Sequence, residues 1–366
     1  MAPHRTLRQV KSLGNFPDPF LGEIARQPEA LRRAATALLE QRSALEEIRE
    51  AGTTARTVVF TGMGSSYDAC YPAVNDLAGR GVPSLLVDAA ELLHFRRPIL
   101  SHETLLIIVS QSGESAEIVK LVGELSKQRA RPTVVSITNG LDNDLAKRAA
   151  ITLDTSVGKE TGPSTMTFAA AMAQLSGIAR LVAGDGVDTA IDRTRTAAEG
   201  AAQAVERLLD DPEASAAELA EFLGGKGVTV VLGRGPARAA AEMGALTLKE
   251  CGVMAESFES GAFRHGPMEL AGPAMAAVVL ATEPETRRLD LGLAADLVDA
   301  GAAVLVITPD GESPKGAHAV ATGYQDRALM SAVAIVPVQL LAWKLAAAGG
   351  RAPGVYTRAS KVTTRE

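Results

Sequence analysis

Three scarcities narrow what this chain of 366 residues can be. It has 2 cysteines, Cys70 and Cys251, far apart in sequence, which excludes a disulfide framework and a zinc set of paired cysteines. It has no excess of basic charge: 37 Lys+Arg stand against 43 Asp+Glu, a net charge of -6. A nucleic-acid footprint of clustered cations is therefore absent, and a bound phosphate is expected on a small molecule. It also lacks a long apolar run free of polar residues. The nearest approach, Met330 to Ala348, contains Ser331, Pro337, Gln339 and Lys344 and reads as a buried helix rather than a membrane span. Residues 1 to 15 are polar, with Arg5, Arg8 and Lys11, so no signal peptide is expected and the protein reads as cytoplasmic. What remains is an ordinary globular composition, 46% hydrophobic and 22% charged, with length for about two domains.

The hydrophobic pattern divides the chain. Phe20, Leu21, Ile24 and Leu31, then Ala35, Leu38, Leu39, Leu45 and Ile48, recur at helical spacing, with a break at Gln27-Pro28. Short β-branched and apolar runs follow at Thr57–Phe60, Leu85–Val87, Leu105–Val109, Val134–Ile137 and Ile151–Leu153, with helical segments between most of them. After an alanine-rich helical stretch from Met166 to Leu223, strands return at Val228–Leu232, Ala276–Leu280 and Val304–Ile307. Continuous apolar strands alternating with helices specify parallel sheets covered on both faces. Gly62 and Gly233 lie 171 residues apart, Val109 and Leu280 also 171, and Thr138 and Thr308 170. One register over three landmarks points to a duplicated, doubly wound α/β domain. The expected organisation is N-terminal helices over 1–50, a first domain over 51–215, a second over 216–348 and a C-terminal tail over 349–366.

The two halves differ where a ligand would bind. Ser110-Gln111-Ser112-Gly113-Glu114-Ser115 follows the central strand of the first half, whereas Ala281-Thr282-Glu283-Pro284 stands at the same place in the second. In an open α/β sheet ligands bind beyond the carboxyl ends of the strands, where a helix N-terminus offers unpaired N–H groups. Ser110, Ser112 and Ser115 add hydroxyls there, Gln111 an amide, Gly113 a tight turn, and Ser65-Ser66 hydroxyls from the neighbouring loop. The set suits a compact phosphate. The same residues are also ordinary turn and N-cap formers. Gly62-x-Gly64 is no dinucleotide fingerprint, since Tyr67 stands where a third glycine would be needed.

Seven segments in order resemble one family. They are FLGEIARQPEAL (20–31), GMGSSY (62–67), SQSGES (110–115), ETGPSTMTF (160–168), LKE (248–250), FRHGP (263–267) and ASKVT (359–363). They are similar to the sugar isomerase (SIS) domain proteins, specifically the double-SIS isomerase domain of glucosamine-6-phosphate synthase and the related glucosamine-6-phosphate deaminases. The resemblance implies that Ser66, Ser110, Gln111, Ser112 and Ser115 hold a sugar phosphate, with Ser65 nearby, and that Ser164 lines the sugar site. It implies Glu250 as the proton-transfer carboxylate, His265 as the ring-opening histidine and Lys361 as a lysine near the sugar carbonyl on a C-terminal lid. By analogy with the synthases, His265 comes from the neighbouring subunit of a homodimer. Thr247 departs from the family, whose synthases carry an additional lysine there. No glutaminase domain is expected before residue 20.

Aldose–ketose interconversion needs ring opening and a proton moved between adjacent carbons, which an acid–base pair performs with no metal or redox cofactor. Taken singly, Glu250 reads as a helix-surface carboxylate, His265 as a loop residue and Lys361 as a solvated tail cation. His4, His94, His102 and His318 read as structural or solvated. The expected activity is conversion of glucosamine 6-phosphate and water to fructose 6-phosphate and ammonia. The alternatives are a plain phosphosugar isomerase, a fructosamine-phosphate deglycase, a non-catalytic sugar-phosphate sensor, or a synthase subunit fed by a separate glutaminase.

Overall fold

The computed structural model describes residues 19–366. Three helices, Pro19–Ala25, Gln27–Glu40 and Arg42–Thr54, lead into the first sheet, with Pro28 in the first turn of the second helix, where its missing N–H leaves nothing unpaired. The first sheet holds β1 (Thr57–Thr61), β2 (Ser84–Leu86), β3 (Thr104–Val109), β4 (Thr133–Thr138) and β5 (Ile151–Asp154), in spatial order β2-β1-β3-β4-β5. The second holds β6 (Val228–Gly233), β7 (Ala255–Glu259), β8 (Met275–Leu280), β9 (Ala303–Thr308) and β10 (His318–Ala321), in order β10-β9-β8-β6-β7. Every pairing is parallel. Numbered from its own first strand, each sheet has the order 2-1-3-4-5, so the duplication seen as a register in the sequence is a duplication of topology. A pair of equivalent residues marks the axis between the copies: the Tyr71 hydroxyl donates to Glu242, 171 positions later, across 3.3 Å.

Period-two burial explains the layers. In β1 and β3, Val58, Phe60, Leu105, Ile107 and Val109 face a core shared by both halves, while Val59, Leu106 and Ile108 face an outer helical layer. Val231, Ala276, Val278 and Leu280 repeat the inward set in the second sheet, and Val230, Leu232, Ala277 and Val279 the outward one. Strands covered on both faces are nearly continuously apolar, as the sequence showed. Between the sheets lie the helices Met166–Val182 and Val336–Ala348, the latter carrying fully buried Trp343. The apolar stretch Met330–Ala348 is long enough to cross a membrane, yet 83% of it is buried inside the protein. Each large side chain fully buried there contributes about 1.5–3 kcal/mol.

Two strands lay outside the apolar runs, β7 (AESFE) and β10 (HAVA). Both are sheet edges, short and partly exposed, so neither needs continuous hydrophobicity. Residue 215, the expected junction of the domains, falls inside helix Pro212–Leu223, which packs on Val336–Ala348 in the second half.

Candidate functional site

The loop after β3 is shaped by its own hydrogen bonds. The Gly113 N–H donates to Ser110 Oγ at 3.1 Å and the Glu114 N–H to Ser112 Oγ at 3.2 Å. Each hydroxyl therefore accepts from the backbone and keeps its proton for another acceptor. Gly113 has φ +66°, and a Cβ there would lie 1.9 Å from Asn143 Oδ1. No other residue fits. Ser115 precedes helix Ala116–Leu125 without capping it through its side chain, and Glu114 is exposed, away from the loop's interior. Ser65 and Ser66 enter from the short helix after β1, whose Ser65 Oγ donates to Ser164 Oγ at 2.9 Å.

These groups open onto one cavity of about 860 Å³. Ser65, Ser66, Ser110, Gln111, Ser112, Ser115 and Ser164 line it from the first half, Glu250 from the second and Lys361 from the tail. Nine of the ten expected site residues thus meet in one place. The tenth does not: His265 sits exposed in a turn where its N–H donates to Ala262 O, and it does not line this cavity.

Glu250 ends helix Arg238–Glu250. Its Oε1 accepts from the Tyr356 hydroxyl at 2.9 Å, while Oε2 is buried with no partner among the described residues. Burial raises its pKa; the Tyr356 hydrogen bond and the Lys361 charge pull the other way, and Glu160 adds a smaller upward push. A buried carboxyl whose surroundings favour its protonated form is a candidate for general acid–base chemistry. Next to it, burial pushes the Cys251 thiol up to about 12, which leaves it inert as a nucleophile.

Lys361 is fully engaged. Its Nζ donates to Glu160 Oε2 at 2.7 Å, Gly162 O at 2.9 Å and Ser164 Oγ at 3.2 Å, one acceptor for each proton of an ammonium. Glu160 is completely buried and is itself held by the Thr165 N–H, the Thr167 N–H and both threonine hydroxyls. The tail is pinned further along as well. The Ala116 N–H donates to Thr363 O at 3.0 Å, and Glu366 pairs with His94 and Lys120. Residues 350–363 accordingly form one wall of the cavity.

Reasoning from the sequence alone gave Glu160 and Tyr356 no role. Glu160 stood inside a segment singled out for its resemblance, so a signal existed. Tyr356 lies outside every such segment, and nothing marked it. Thr247 is buried and its hydroxyl donates to Met243 O at 2.9 Å, so that position brings no cation to the site. His4 lies outside the described residues.

Comparison with known proteins agrees with this architecture. The SIS domain model matches residues 53–180 and 226–348. A glutamine–fructose-6-phosphate aminotransferase (isomerizing) of Aeropyrum pernix is 31% identical over 97% of this chain and 58% of its own length. A protein of the same name from Symbiobacterium thermophilum is 28% identical over 92% and 57%. The chain therefore spans less than two thirds of these curated relatives. Among solved structures, the C-terminal domain of glucosamine-fructose-6-phosphate aminotransferase from Francisella tularensis superposes with TM-score 0.80 at 23% identity, covering 93% of this chain and 98% of that one. Glucosamine-6-phosphate deaminase of Thermotoga maritima superposes with TM-score 0.73 at 19% identity, covering 94% and 99%. With two matched segments, two sheets of one topology and a hydroxyl-lined strand edge, the chain belongs to the SIS domain family.

Proposed function

We propose that this protein is an aldose–ketose isomerase of hexose 6-phosphates whose preferred reaction is the deamination of glucosamine 6-phosphate. One observation carries the reading: a hydroxyl-and-amide cradle fit for a phosphate shares a single cavity with a partly unpartnered buried carboxylate from the other half. The cradle, Ser66, Ser110, Gln111, Ser112 and Ser115, fixes the 6-phosphate through donors alone, and Ser164, with Ser65 behind it, lines the sugar. Glu250 serves as the base. It removes the C2 proton of the open-chain aldehyde, giving an enolamine, and returns a proton to C1. The resulting C2 imine adds water, releases ammonia and leaves fructose 6-phosphate.

Lys361, with three acceptors around its ammonium, serves in this state as the latch of a lid rather than as an imine-forming amine, which would have to be neutral. His265, exposed and outside the cavity of its own chain, is assigned to ring opening in the site of a second copy, which makes a homodimer the working unit. The observation favouring a second reading is Thr247, which leaves the site one lysine short of the synthase pattern and suits a plain isomerase or a fructosamine-phosphate deglycase.

The test is ammonia release from glucosamine 6-phosphate at micromolar enzyme. Stoichiometric ammonia and fructose 6-phosphate are expected. No product would reject deamination, and turnover of nitrogen-free sugar phosphates alone would move the assignment to isomerase.

A further inference from the structure

The C-terminal wall of the cavity meets the second half at a carboxylate. Tyr356 is half-buried, and its hydroxyl donates to Glu250 Oε1 at 2.9 Å. Glu250 Oε2, buried and unpartnered, is the other face of the same group. Four groups besides Tyr356 act electrostatically with the carboxylate: Lys361 from the same tail, Glu160 from the loop before helix Met166–Val182, Asp68 from the helix after β1, and Cys251 beside it in sequence; Lys249 is its other chain neighbour. Lys361 is committed to Glu160, and Lys249 pairs with Glu256 at 3.5 Å. Among the described residues, Tyr356 alone donates a hydrogen bond to the Glu250 side chain.

We infer that Tyr356 is a positioning residue: delivered by the tail, its hydroxyl occupies Oε1, fixes the carboxylate's orientation, and leaves Oε2 as the oxygen that exchanges a proton with substrate. This rests on the assignment of Glu250 as the base. The consequence is a coupling between the tail and ionisation. A hydrogen bond donated to the charged form favours that form, so the Tyr356 hydroxyl offsets part of the burial that raises the Glu250 pKa. The tail therefore does more than exclude water: it orients the base.

The experiment compares the full-length protein with Tyr356→Phe, which keeps the ring and removes the donor. Glutamate carboxyl carbons labelled with ¹³C are titrated by NMR, the Glu250 signal being assigned by its loss in Glu250→Gln. In parallel, kcat/KM for glucosamine 6-phosphate is followed against pH. Removal of the hydroxyl is expected to raise the Glu250 midpoint by about one unit, a tenfold change in its ionisation, and to move the acidic limb of kcat/KM upward equally, so that activity is lost most at low pH. An unchanged Glu250 midpoint overturns the inference, including when activity falls equally at every pH, the mark of a merely structural role. Absence of turnover in the unaltered protein would instead count against the proposed reaction, and the NMR midpoint would still decide the role of Tyr356.

Discussion

The two sheets share one topology and use their carboxyl edges in opposite ways. At the first, the serine hydroxyls accept from their own loop and turn their protons toward a cavity. At the second, equivalent positions 171 later read Pro236 and Ala237 for Ser65 and Ser66, and Ala281, Glu283 and Pro284 for Ser110, Ser112 and Gly113. Internal ion pairs occupy that edge: buried Asp290 accepts from Arg234 at 2.8 Å, and Glu283 pairs with Arg327 at 2.8 Å. The first edge presents small neutral donors to a cavity, whereas the second brings arginines into ion pairs with buried carboxylates. Duplication supplied two scaffolds, and the side chains at their edges tell them apart.

The largest test of that contrast is Glu250→Gln, which keeps shape and removes the proposed base. With the first edge intact, thermal stabilisation by glucosamine 6-phosphate is expected to persist while kcat falls about 10²- to 10⁴-fold. Loss of binding with unchanged kcat would place the chemistry elsewhere. Next comes Gly113→Ala, where φ +66° and the clash with Asn143 must both be relieved by moving the loop. Strain of about 1–3 kcal/mol is expected, with a KM rise of tenfold or more; an unaltered KM would remove the loop from phosphate binding.

At the second edge, Asp290→Asn separates support from site. It exchanges a charged acceptor for a neutral one beside Arg234, so a cost of about 1–3 kcal/mol is expected as a lower Tm with KM unchanged. A raised KM would show that the second edge also contacts substrate. The smallest effect concerns stability and pH. Because burial raises the Glu250 pKa in the folded protein, ionising it destabilises the fold; that cost is absent below the ordinary carboxylate range and complete above the raised value. Glu250→Gln should therefore have the higher Tm at neutral pH, with the difference closing as pH falls from the raised value toward the ordinary carboxylate range. A difference that widened on acidification would contradict the direction of the shift.

Much of this was legible before any coordinates. Strands buried on both faces announce themselves as apolar runs, so β1, β3, β4, β6, β8 and β9 could be read directly, and their spacing exposed the repeat. The edge strands β2 and β5 could be read from short apolar runs as well. Edge strands β7 and β10 could not, because the partly exposed AESFE and HAVA are too polar or too short to stand out. The serine loop was visible because it follows the carboxyl end of a central strand, where open α/β sheets bind ligands, although its residues are also ordinary turn formers. Tyr356 was invisible for the opposite reason: it lies 106 positions from Glu250, on a tail without periodicity, and only folding brings them together. His265 had a motif but no place in its own chain's cavity.

The central claim is that the first edge grips the phosphate while the carboxylate from the other half reaches the sugar. A crystal structure with a hexose 6-phosphate bound tests it most directly. The phosphorus is expected within hydrogen-bonding reach of Ser66, Ser110, Ser112 and Ser115, with C1 and C2 facing Glu250 Oε2. A phosphate seated at the second edge, or a sugar whose reacting carbons lie away from Glu250, would contradict the account.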